Sequence, residues 1–110
     1  MRDELADRMR TLIGNNPSIT ETRMFGGLCF MLNGNMQIAA RRDGSLLARV
    51  GAAAAESAVK KPGVERMVMR GREMADYLIV SADQLDDKAL KQWLALTANF
   101  VAQLPPKKKK

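Results

Sequence analysis

Cys29 is the single thiol of a 110-residue chain that contains no histidine. Without histidine the chain lacks the commonest general base, any Ser-His or Cys-His nucleophile pair, and any His-ligated metal site. One cysteine permits neither an internal disulfide nor a thiolate zinc cage. A nucleophilic or redox-sensing thiol needs its pKa lowered by a helix N-terminus or a nearby cation. Cys29 instead stands in the apolar run Leu28 to Leu32 and reads as a small core residue. Gly26-Gly27 has the composition of a phosphate cradle, yet no Walker lysine follows and no helix is expected to start there. The pair fits a strand entry or bulge better. Two carboxylate pairs could serve acid–base work. Asp86-Asp87 is accounted for by a helix start, and Glu73 with Asp76 flanks a turn beside Arg70 and Arg72 with no convergent partners. The expectation is a protein that is not an enzyme and uses no cofactor and no metal.

Charge offers a second chemistry. Eighteen Lys and Arg against twelve Asp and Glu give +6, and four of those cations are Lys107 to Lys110, which leaves the body at +2. Arg41-Arg42, Arg70-Gly71-Arg72 and the lysine tail are candidate anion contacts, and together they could hold a nucleic-acid backbone. Aromatic residues are only 5% of the chain and none lies between the clusters, so base stacking is poorly served. Solvated turns and a solubilising tail account for the cations more simply. No apolar run approaches the ~20 residues that a membrane span needs.

The elements that must position these residues follow from spacing. Leu5, Met9, Leu12 and Ile13 share one side of a helix over Asp3 to Ile13, which Gly14 and Asn15-Asn16-Pro17 stop. Ile19 to Val50 reads as strands. Asn33-Gly34 between apolar runs predicts a two-residue type I′ hairpin, placing Met31 opposite Met36 and Cys29 opposite Ile38 on one core face. At the next turn a three-residue loop with Gly44 in the left-handed region aligns Ile38 with Ala48 and Gln37 with Arg49. A two-residue loop would bury the Arg49 guanidinium beside Ile38, so the longer loop is preferred. A short alanine-rich helix is expected over Gly51 to Lys61, then strands Val64 to Met69 and Ala75 to Val80. Ser81-Ala82-Asp83-Gln84 resembles a capping box opening a last helix, with Leu90, Trp93, Leu94, Thr97, Phe100, Val101 and Leu104 along one side. One domain over 1–104 is expected, followed by a disordered Pro/Lys tail over 105–110 that folding does not require.

Arg23-Met24-Phe25-Gly26-Gly27, an apolar strand, Asn33-Gly34 and Met36 together resemble the signature of the TfoX N-terminal domain family. The likeness continues through Leu46-Leu47-Ala48-Arg49-Val50, a strand ending in a basic residue, then Met74, Tyr77 and Val80, and Leu90 with Trp93-Leu94. It implies an α+β domain, an antiparallel sheet flanked by helices and similar to the type III secretion chaperone-like fold. It implies a bacterial, cytoplasmic setting as well, since this domain forms the first half of TfoX/Sxy competence regulators, which act with the cyclic-AMP receptor protein. The chain is expected to be the N-terminal domain standing alone, and the resemblance supplies no catalytic residue.

The hairpin registers leave Leu28, Phe30, Leu32 and Leu47 on the face opposite Met31 and Met36, beside Gln37 and Arg49. That face is too apolar to remain wet, so either a helix or a partner must cover it. Phe30, Leu32, Leu47 and Arg49 are therefore the candidate partner surface, and a protein partner or a second copy is the expected occupant.

Overall fold

A computed structural model describes residues 4–24 and 27–105. Phe25 and Gly26 of the sequence motif, and Lys107 to Lys110, lie outside the described residues. The element order is α1 (Glu4–Ile13), β1 (Ile19–Met24), β2 (Gly27–Leu32), β3 (Asn35–Arg41), β4 (Leu46–Arg49), α2 (Ala52–Ala58), β5 (Val64–Met69), β6 (Arg72–Val80) and α3 (Asp87–Val101). The six strands form one antiparallel sheet in the order β1-β2-β3-β4-β6-β5, so the expected α+β class is borne out.

Local chemistry places the turns where the sequence puts them. Asn33 and Gly34 both have positive φ, 54° and 82°, and Leu32 pairs with Asn35 across a two-residue loop. The loop after β3 has three residues, with Gly44 at φ 89° and Ile38 opposite Ala48, as the argument from Arg49 requires. Asp43 Oδ1 accepts from both the Ser45 amide (2.9 Å) and hydroxyl (2.6 Å), which locks the turn. These hydrogen bonds hold the Asp43 carboxyl below its ordinary pKa.

Two expectations need correction. Met31 does face Met36, but a bulge follows, and Cys29 lies opposite Ala39 while Phe30 takes Ile38 as partner. Gln37 is the extra residue, and Ile38 moves onto the face of Phe30. The run from Met36 to Ala40 contains one polar residue, so its alternation is too weak to reveal a slip. The second correction concerns the last helix. Ser81 does not cap it: its hydroxyl bonds Asp83, and Ala82–Gln84 make a 3₁₀ turn. Asp86 is the cap instead, accepting from the Ala89 amide at 2.8 Å, with buried Leu85 just before it.

The sheet carries a core on each face. On one, all three helices bring Leu5, Ala6, Met9, Ala55, Ala58, Leu90, Trp93 and Leu94 against Leu28, Phe30, Ile38, Ala40, Leu46, Ala48, Leu78 and Val80. Arg8 clasps α1 to the start of α3 through the Leu85 carbonyl (2.7 Å) and Asp87 (3.0 Å). On the other face Cys29, Met36, Ala39, Leu47 and Met67 form a smaller cluster drawn from strands alone. Gly27 lets β2 and β3 approach: a Cβ there would lie 2.1 Å from the Ala40 carbonyl oxygen.

Candidate protein-binding face

The proposed patch of Phe30, Leu32, Leu47 and Arg49 does not exist as one surface. Phe30 is 1% exposed beneath the helices. Leu32 is buried too, and its partner Ile19 packs on that same helical side. Leu47 is fully buried on the opposite face, with Cys29 and Ala39. The β2–β3 bulge put Ile38 beside Phe30, and Leu47, opposite Ala39 and flanking the Ile38–Ala48 pair, points the other way.

The helix-free face is built from other residues. Around Cys29, Ala39 and Leu47 stand Met31, Met36, Met67, Met69 and Met74, with Tyr77 and Ile79. Met31, Met69, Met74, Tyr77 and Ile79 are half-buried. Strand alternation positions all of them: Leu47 pairs Ile79, Met67 pairs Met74, and Met69 pairs Arg72. Beyond Met74 the strand β6 carries three residues, Ala75 to Tyr77, that have no partner on β5. The Val50 and Gly51 amides both bond the Asp76 carbonyl inside that bulge. Thioether side chains of this kind adapt to irregular apolar partners because each has three rotatable bonds. Of the two methionines expected on the core face, Met36 is buried and Met31 half-buried; Met67 is buried as well, and Met69 and Met74 are half-buried.

Arg49 closes one end of this face. Its guanidinium lies 5.6 Å from the Tyr77 ring centroid and 5.9 Å from that of Phe100, and Nη1 donates to the Met36 carbonyl at 3.2 Å. Tyr77 belongs to the methionine cluster and Phe100 to α3, so Arg49 joins the sheet face to the helical layer. A Cβ on Gly51 would fall 2.7 Å from the Phe100 ring, which keeps that position free of a side chain. The sequence gives no periodic signal for this clamp, because its three parts come from β4, β6 and α3.

Cys29 is inert. Burial pushes its thiol up to about 11. At pH 7.5 on the order of one molecule in a few thousand carries the thiolate. Native protein is therefore expected to resist thiol reagents at that pH, and denatured protein to react stoichiometrically. Rapid labelling of the native state, followed by mass spectrometry, would contradict the burial. The raised native pKa also has a stability sign. The thiol leaves stability unchanged below the unfolded value near 8.5 and destabilises the fold progressively as pH rises above it.

The basic turns are not brought together. Leu46 pairs Val80 and Arg49 pairs Tyr77, so Arg41 and Arg42 sit at the Val80 end of the sheet while Arg70 and Arg72 sit at the other. The Asn35 side chain donates to the Pro105 carbonyl at 2.9 Å, so the chain leaves α3 at the end away from Arg41 and Arg42. Arg41 and Arg42 line a cleft of about 270 Å³ against α1 together with Arg8, and Glu4 and Asp43 line it as well. Among the described residues no group of three or more Cys, Asp or Glu is placed to hold a metal ion. Among the described residues no ion pair joins Glu73 or Asp76 to a cation.

The family model for the TfoX N-terminal domain matches residues 11–101. The chain belongs to the TfoX N-terminal domain family. The matched span runs from the last turn of α1 to the last residue of α3 and includes all six strands. No curated protein and no solved structure gives a significant match. Three motif residues have a visible structural part in this TfoX N-terminal domain: Gly27 in the β2–β3 approach, Gly34 in the type I′ turn, and Arg23, which pairs Leu28 across β1 and β2.

Proposed function

We propose that this domain is a non-enzymatic protein-interaction module with a regulatory, competence-regulator-like role, and that its helix-free methionine face is the docking surface. The observation that carries the reading is that all three described helices pack on one side of the sheet, while five methionines, Tyr77 and Ile79 gather on the other. Alternation also places Arg41 at one end of this face and Arg72 at the other, with Glu65, opposite Ile79, nearer the Arg41 end. That balance favours a partner segment with apolar anchors and acidic flanks. We take the setting to be the bacterial cytoplasm, a reducing compartment that suits a lone thiol. No described helix is long and apolar enough to cross a membrane.

Photoreactive methionine incorporated in the source cells tests the reading directly. Crosslinks are expected from Met31, Met69 and Met74 to apolar partner segments bordered by Asp or Glu. Met69→Glu and Met74→Glu should leave the circular dichroism unchanged, because both side chains are half-buried, and should weaken association with the crosslinked partner at least tenfold. Binding should survive moderate salt. Association that falls steeply with salt and is lost on Arg70→Ala or Arg42→Ala would point instead to a nucleic-acid-associated regulator using the basic turns.

A further inference from the structure

Gln37 and Arg49 each carry one buried polar atom with no hydrogen-bond partner among the described residues: Gln37 Oε1 and Arg49 Nε. Buried polar groups are nearly always paired, so these two orphans call for an explanation.

The Gln37 amide is fixed in orientation. Its Nε2 donates to the Leu94 carbonyl (3.3 Å) and to Thr97 Oγ1 (2.9 Å). Thr97 Oγ1 spends its own proton on the Trp93 or Leu94 carbonyl, so toward Gln37 it acts as an acceptor. Turning the amide over would set Oε1 against a carbonyl oxygen. Arg49 is fixed as well, between the Tyr77 and Phe100 rings with Nη1 on the Met36 carbonyl.

The two side chains are neighbours by three independent relations. The β3–β4 ladder ends at the Ile38–Ala48 pair, and Gln37 and Arg49 are the next residues on the two strands. The carbonyl that Arg49 holds belongs to Met36, the residue before Gln37. Their contacts on α3, Thr97 and Phe100, lie three residues apart on the same helix. One orphan is a donor and the other an acceptor, and they do not bond each other.

We propose that an internal water molecule bridges Arg49 Nε and Gln37 Oε1, accepting from the first and donating to the second. Such waters typically occur about once per 27 residues and serve polar groups that the chain leaves unmatched. The bridge completes a path from the Met36 carbonyl through Arg49, the water and Gln37 to the Leu94 carbonyl, tying the central strands β3 and β4 to α3. It also explains why arginine ends β4. Lysine would keep the charge, but it offers neither a planar group for two rings nor a second donor at the ε position. This inference stands independently of the docking face.

The test is a crystal structure at a resolution that shows ordered water, together with a proton NMR measurement on the same protein. Electron density is expected within hydrogen-bond distance of both atoms. The Arg49 Hε resonance should give a cross-peak to water with the sign of a long-lived bound molecule. Gln37→Leu and Arg49→Lys should each abolish that cross-peak. Should either variant fail to fold, the wild-type density and cross-peak decide alone. A dry site, a direct bond between Nε and Oε1, or an Arg49 side chain turned to solvent would overturn the proposal.

Discussion

Phe30→Glu is expected to unfold the domain at neutral pH. Phe30 is 1% exposed in the helical core, in one cluster with Leu28 and its cross-strand partner Ile38 and with residues of all three helices. Two costs add. Emptying a large buried aromatic site removes roughly 3–5 kcal/mol. A buried carboxyl must stay protonated, and holding it so at pH 7 against an ordinary pKa near 4.3 costs about 4 kcal/mol. Together these match the whole stability of a typical domain, about 5–15 kcal/mol. The pH sign follows from a native pKa raised above the unfolded one. The ionisation cost vanishes below about pH 4.3 and grows as pH rises, so partial recovery of structure is expected near pH 4. Circular dichroism at both pH values checks this. A folded Phe30→Glu protein at pH 7 would contradict the helical cover.

Trp93→Ala should lower stability by roughly 3–5 kcal/mol without changing the fold. Trp93 is the only tryptophan, 6% exposed, and packs from α3 into the helical core. Lys61 Nζ stands 5.6 Å from its ring centroid, so the side chain also anchors the loop between α2 and β5. For a domain of this size that loss should depress the melting temperature by roughly 15–20 °C. Thermal unfolding followed at 222 nm gives the number. In wild type the emission of Trp93 should shift to the red on denaturation. Native emission already as red as in denaturant would show that the ring is not in the core.

The sequence is legible wherever a local rule is strong. Asn33-Gly34 needs positive φ at both positions, and the structure supplies it. The length of the Gly44 loop followed from a single energetic argument about burying Arg49, and the Ile38–Ala48 pair bears it out. Val64–Met69 is a strand over the residues expected. Where two local signals compete, position is lost. Ser81 and Asp86 both offer a side-chain oxygen to a helix start; Asp86 takes the cap by accepting from the Ala89 amide, while the Ser81 hydroxyl donates to Asp83 and caps nothing.

By itself, then, the sequence determined the class, the turns, the family and the exclusion of histidine chemistry, because each rests on residue types and on spacings of a few residues. It also determined that the sheet must have two apolar faces. Tertiary structure alone decided which face the helices take. Helix packing depends on where three amphipathic stripes can meet at once, and Phe30, Ile38 and Leu46 offered them one continuous floor. That choice left Met31, Met69 and Met74 half-buried on a face without helices and carried Leu47 away from Phe30. A single-residue bulge in an almost wholly apolar strand made the difference, because alternation records a shift of register only where polar and apolar residues alternate.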